Sequence, residues 1–176
     1  MVQDECVCPD TVKMESVFLL GAGLMTAAFV AVILLSPSTL VDDDWEIVDV
    51  CINEHNPNQS HEHATLKIFI DGAETNIPAN IGVDDDASCD PGMRGIHTHD
   101  ATGKLHVETP SSMDAPVGAF FEIWDETFNE NQILNSVVDE DSEVVMYVNG
   151  ELNDEYQNYG MQDGDVIEIY YRDKQD

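Results

Sequence analysis

The stretch 95-GIHTHDATGKLHVE-108 gathers His97, His99 and His106 with Asp100 and Glu108 into fourteen residues, and 61-HEH-63 supplies a second His-x-His pair upstream. On a strand, residues two apart project from the same face about 7 Å apart, so each pair lies within reach of one ion. Neutral imidazole suits zinc and copper(II), and acidic neighbours raise its basicity and offset the charge of the ion. Met93 and Met113 lie nearby in sequence, which leaves copper open. Two such pairs in one small sheet predict a metal cluster of His61, His63, His97, His99 and His106. The competing reading is a metal-free hairpin in which these rings hydrogen-bond to one another, to Asp100 and to the backbone.

Whether His106 joins depends on the turn Asp100-Ala101-Thr102-Gly103, which has Asp and Gly at the first and fourth positions of a type I turn. With a two- or four-residue loop, His97 faces His106, and all three imidazoles share one surface with Glu108. With a one-residue bulge at Gly103, His106 changes face. The first register fits better, because Ile96, Leu105 and Val107 then share the core side.

Other chemistry has less to stand on. The chain has no GxSxG elbow, no GxxxxGK[ST] loop and no HExxH helix. A metal hydrolase or oxidase needs an open coordination position and a placed acid or base, for which Asp100 or Glu108 would serve, but nothing points to a substrate. The runs Asp84–Asp86 and Asp139–Asp141 lack the spacing of a calcium-binding EF-hand and read as solvated loops.

These residues need a sheet to hold them. Leu66, Ile68 and Ile70 alternate on one face, Asp71-Gly72 supplies a turn, and Ile77 with Pro78 marks a short or edge return strand. The stretch VDDDASCDPGMRG reads as a loop. From Ser111 the period changes. Asp114 is placed to cap a helix with Pro116 in its first turn, and Val117, Phe120, Phe121 and Trp124 form one buried stripe. Two final strands are expected, with Val144, Met146 and Val148 leading to Asn149-Gly150, and Ile167, Ile169 and Tyr171 after Asp163-Gly164-Asp165. The fold class predicted is α+β, an N-terminal transmembrane helix followed by one small domain of β-hairpins with a helix on the sheet. That pattern resembles the β-grasp architecture of ubiquitin-like domains.

Ser16 to Leu35 is an uncharged apolar run of twenty residues, enough for a helix to span about 30 Å of bilayer core. A cleaved signal peptide is the competing reading, but acidic residues precede the run and no basic n-region does. The organisation expected is a cytoplasmic tail over 1–15, a membrane helix over 16–35, a juxtamembrane linker over 36–50 and an extracytoplasmic domain over 51–176. Lys13, the one base near either end, orients the domain outward in a single-pass cell-membrane protein.

Formal net charge is −30, with 36 Asp and Glu against 6 Lys and Arg, which excludes a nucleic-acid surface. Outside the cytoplasm Cys51 and Cys89 should pair, while Cys6 and Cys8 stay as thiols. Asn58, in Asn58-Gln59-Ser60, is a glycosylation acceptor on the same side.

The order Cys51, His61-x-His63, KIFIDG, IPANIG, Cys89, HTHDATGKLHVETP and GAFFEIWDETF resembles an uncharacterised group of membrane-anchored or exported archaeal and bacterial proteins. Their pattern runs HxHA, IPAxIG, a cysteine, HTHDxSG, HxE and FFxIW, and the resemblance covers roughly residues 51 to 130. Residues 90–95 depart from it, since those relatives run more directly into an apolar or aromatic residue before HTHD. The resemblance implies an exported domain with paired cysteines and a histidine-rich centre, and it implies no reaction. The function expected is extracytoplasmic binding of copper or zinc for capture, delivery or structure. The alternative is a metal-free structural or protein-interaction domain of the cell envelope.

Overall fold

In the computed structural model, the residues described are 45–52, 60–83, 89 and 92–175. The strands β1 (Cys51–Ile52), β2 (Ser60–Ile70), β3 (Ala73–Thr75), β4 (Met93–Arg94), β5 (Ile96–His97) and β6 (Lys104–Thr109) precede the helix α1 (Val117–Ile123). After it come β7 (Phe128–Asn129), β8 (Gln132–Ile133), β9 (Ser136–Val137), β10 (Ser142–Val148), β11 (Glu151–Asn153) and β12 (Val166–Asp173).

The main sheet runs β11-β10-β12-β2-β6-β5, with β3 also on β2. At eleven residues, β2 is long enough to pair antiparallel with β6 over its first half and with β3 over its last three residues. Its partner β12 runs parallel to it from Val166↔Thr65 to Tyr171↔Ile70. Strict alternation gives the sheet one apolar face, on which Ala64, Leu66, Ile68, Leu105, Val107, Ile167 and Ile169 are all buried. Two hairpins close at the turns their sequences predict, with positive φ at Asp71 and Gly72 and again at Asn149 and Gly150, as a two-residue type I′ turn requires. The return strand of the first, however, is β3, which ends at Thr75, before Ile77.

The α+β expectation is overturned. The described chain is mainly strand, and its one α-helix has seven residues. The helix is short because Trp124 already occupies its C-cap and Asp125 turns to φ 59°, sending the chain into the small meander β7-β8-β9. Asp114 does not cap it, since the N-cap is Pro116 and no side chain bonds there. Nor is the transmembrane helix found. Residues 16–35 lie outside the described residues, and no described helix is long and apolar enough to cross a membrane. Cys6, Cys8, Asn58 and Asp84–Asp86 also lie outside them.

Short as it is, α1 is buried at Val117, Gly118, Ala119, Phe120 and Phe121, so it is apolar on almost every side. A Cβ at Gly118 would come within 2.2 Å of the Trp45 ring, so glycine is what lets that indole lie on the helix. Ile47, in the 3-10 turn Glu46–Asp49, is 1% exposed and belongs to the same core. The region read as linker therefore supplies core residues. The expected Cys51–Cys89 disulfide is present, with Cα atoms 5.4 Å apart. Met93 and Arg94, read as loop, form β4 and pair with β1.

Phe120→Ala should cost about 3–5 kcal/mol, since it removes a fully buried ring and leaves a cavity. Coincident denaturant curves for variant and parent would show that α1 does not close the core. Replacing Cys51 and Cys89 together by Ser opens a link across 38 residues and should cost about 4 kcal/mol on the chain-entropy account. Thiol titration of the unreduced parent should find both residues blocked.

Candidate metal centre

The site lies on the sheet face opposite the core, and register assembles it. β6 lies between β2 and β5, so His106 has His63 directly across on one side and His97 directly across on the other. Ile96 pairs with Val107, which is the register without a bulge. Two residues further along, on the same face, His61 faces Glu108. Directly opposed residues have Cβ atoms about 4.5–5.5 Å apart, so the backbone alone brings these rings into contact.

The turn between β5 and β6 fixes that register. Asp100 accepts from the backbone N–H of Thr102 at 2.9 Å and from its hydroxyl. Gly103 has φ 77°, and a Cβ there would lie 2.2 Å from the carbonyl oxygen of Leu66. That approach lets the Gly103 carbonyl accept from the Leu66 N–H at 2.8 Å, tying the turn to β2. On the other flank, the His63 N–H donates to Asp163 at 2.9 Å, and its carbonyl accepts from Gly164 at 2.7 Å.

The rings themselves are crowded. His106 has centroids 4.7 Å from His63, 4.7 Å from His99, 5.3 Å from His97 and 5.8 Å from His61. Potential ligand atoms come together as two groups, His61–His63–His106 and His97–His99–His106, within 4.8 Å inside each. His61 Nε2 and His106 Nδ1 are 3.5 Å apart, beyond the usual hydrogen-bond range but close to the ~3.4 Å edge of a tetrahedron with bonds of 2.0–2.1 Å.

The centre has a buried floor and an exposed rim. His97 and Glu108 are 0% and 1% exposed, whereas the His61 side chain is 43% exposed and His99 is also exposed. Across the floor, Glu108 Oε1 lies 3.1 Å from His61 Nε2 and 4.0 Å from His97 Nε2, touching one member of each group. His97 Nδ1 is 3.0 Å from the Arg94 carbonyl. A carbonyl only accepts, so Nδ1 carries the proton and Nε2 keeps the lone pair a metal needs.

No family model, curated protein or solved structure matches this chain. The chemistry of the site therefore rests on its own geometry. All five histidines singled out from the sequence meet here. The sequence did not reveal that Glu108 would be buried: alternation with Leu105 and Val107 puts it on the histidine face, but its depth comes from packing. Nor did it reveal the Arg94 carbonyl. The run Asp139–Asp141 is a turn in which the Asp139 carboxylate accepts from Ser142 and Asp141, holding its pKa below the usual range.

Burial and proximity together disfavour protonation of two of the rings. Burial, followed by the neighbouring His97, His99, His63 and His61, lowers the His106 pKa from 6.5 to about 4. Burial also lowers that of His63, helped by Lys104 and His61 and opposed by Asp163 and Glu108. An unfolded chain protonates histidine near pH 6.5. Between there and about pH 4 the unfolded state thus binds more protons at His106 than the folded state does. Stability of the chelator-treated protein should fall as pH drops through that window, and this contribution should level off below it. Melting temperatures from pH 7.5 to 4.5 should fall less steeply for His106→Gln than for the parent, whereas parallel curves would remove His106 as the cause.

Proposed function

We propose that this domain binds copper(II) or zinc through His61, His63, His97, His99 and His106, to capture, deliver or be ordered by the ion. The observation that carries this reading is the convergence of five imidazoles from β2, β5, β6 and the following turn on one polar patch. Imidazole is a favoured ligand for both ions, and the lowered pKa of His106 leaves little competition from protons at that ring. Glu108 Oε1 lies beside the ligand-bearing Nε2 atoms of His61 and His97, where its charge would offset that of an ion. Exposed His61 and His99 keep the centre open to exchange with solvent, which suits capture and delivery. The Cys51–Cys89 bond favours an oxidising compartment outside the cytoplasm.

The test uses the full chain, purified without a histidine tag and stripped with chelator. Zinc or copper(II) should bind with a Kd below 10 μM, tighter than about −7 kcal/mol. Binding should release protons and raise the melting temperature, by about 2.7 kcal/mol of stability at one hundred times Kd. His106→Ala should weaken binding at least tenfold, and Asp139→Asn with Asp141→Asn should leave it unchanged. Equal binding by the His106 variant, or none tighter than 10 μM in the parent, would favour the metal-free reading, in which the His61–Glu108 and His97–Arg94 contacts serve only to lock the hairpin.

A further inference from the structure

We propose that the cluster is a two-ion centre, in which His106 bridges one cation held with His61 and His63 and a second held with His97 and His99. The inference rests on the metal-binding reading above and concerns how the ligands divide. Two zinc–nitrogen or copper–nitrogen bonds of about 2.0–2.1 Å let two nitrogens on one ion lie at most about 4.2 Å apart. Ligand atoms within 4.8 Å of one another, which small ring movements would bring into that span, occur as two groups of three with only His106 in common. The strand order explains the division: β6 is central, β2 provides one pair, and β5 with the turn after it provides the other.

A histidine has two ring nitrogens, so one residue can serve both groups. Nδ1 of His106 lies 3.5 Å from His61 Nε2, which assigns Nδ1 to the first group and leaves Nε2 for the second. Glu108 is placed for the same arrangement, since its Oε1 is 3.1 Å from His61 and 4.0 Å from His97, one ligand of each ion. A single buried carboxylate thus offsets part of the charge of both ions, within a chain of net charge −30.

The step balances without an oxidant or reductant. Neutral His106 carries one N–H; when both nitrogens coordinate, that N–H bond breaks, the proton goes to solvent and the ring remains as imidazolate between two divalent ions. Each ion then has three imidazole-type ligands and at least one position open to water. The ions would stand roughly 6 Å apart, two bonds of about 2 Å plus the width of the ring.

Copper(II) titration of the full, untagged chain, read by bound metal and by electron paramagnetic resonance, tests this. The parent should take up two copper ions per chain, and the spectrum of the fully loaded protein should show two spins coupled through the bridge. His61→Ala with His63→Ala should leave one ion with an ordinary isolated signal, and so should His97→Ala with His99→Ala. His106→Gln should abolish the coupling. Because a variant can misfold, the parent spectrum alone also decides: two isolated signals overturn the bridge. One tightly bound ion per parent chain would overturn the two-ion centre and leave the metal-binding reading standing, whereas no tight binding would overturn both.

Discussion

The structure turns on one register, that of β6 between β2 and β5. With His106 opposite both His63 and His97, Leu105 and Val107 point into the core beside Ala64 and Ile96, and His106 and Glu108 point to the other face. A slip of one residue would carry the imidazoles into the core and the aliphatic residues out of it, an exchange the hydrophobic effect forbids. Core packing and site assembly are therefore one constraint, and Gly103 enforces it by bringing the turn against the Leu66 carbonyl.

The centre also works against its own protonation. Burial, reinforced by the four neighbouring imidazoles, lowers the pKa of the central ring, His106, to about 4. On the proposed reading, divalent cations would relieve the crowding that protons would worsen, because the ring nitrogens share an ion instead of each ring gaining a charge. Strong acidity elsewhere on the chain acts at longer range, raising the local concentration of cations without selecting among them. On the proposed reading, selection among them would belong to the imidazoles.

Much of the site was legible because a strand has a period of two. His61-x-His63 and the alternation of His106 with Leu105 and Val107 can be read from residue types alone, as can the turns at Asp71-Gly72 and Asn149-Gly150. What lay beyond reach was non-local. Nothing near Val166 states that it will lie parallel to Thr65, and nothing in WEIVD states that Ile47 will be buried. The aromatic stripe from Val117 to Trp124 has the spacing of a long amphipathic helix, yet α1 ends at Ile123 and is buried on nearly all sides. Periodicity reports which face is apolar, but not how many neighbours will cover an element or where its chain must turn away.

The floor of the centre shows how remote parts of the chain serve the chemistry. Cys51, which is bonded to Cys89, stands opposite Arg94 in the β1–β4 pair. Next along, the Gly95 N–H donates to Val50 at 2.8 Å, while the Gly95 carbonyl accepts from Glu108 at 2.7 Å. The backbone leading to His97 is thus held on both edges, by β1 and by the strand that carries Glu108. Its Arg94 carbonyl, further fixed by the Arg94 N–H bonding to Gly82 at 2.8 Å, then sets the orientation of His97. On the proposed metal-binding reading, this orientation precedes any ion, so the floor would spend little conformational entropy on binding, and the cost of ordering would fall on the exposed rings of His61 and His99. Such a division, rigid below and adjustable above, suits the proposed centre, which would have to both hold an ion and exchange it.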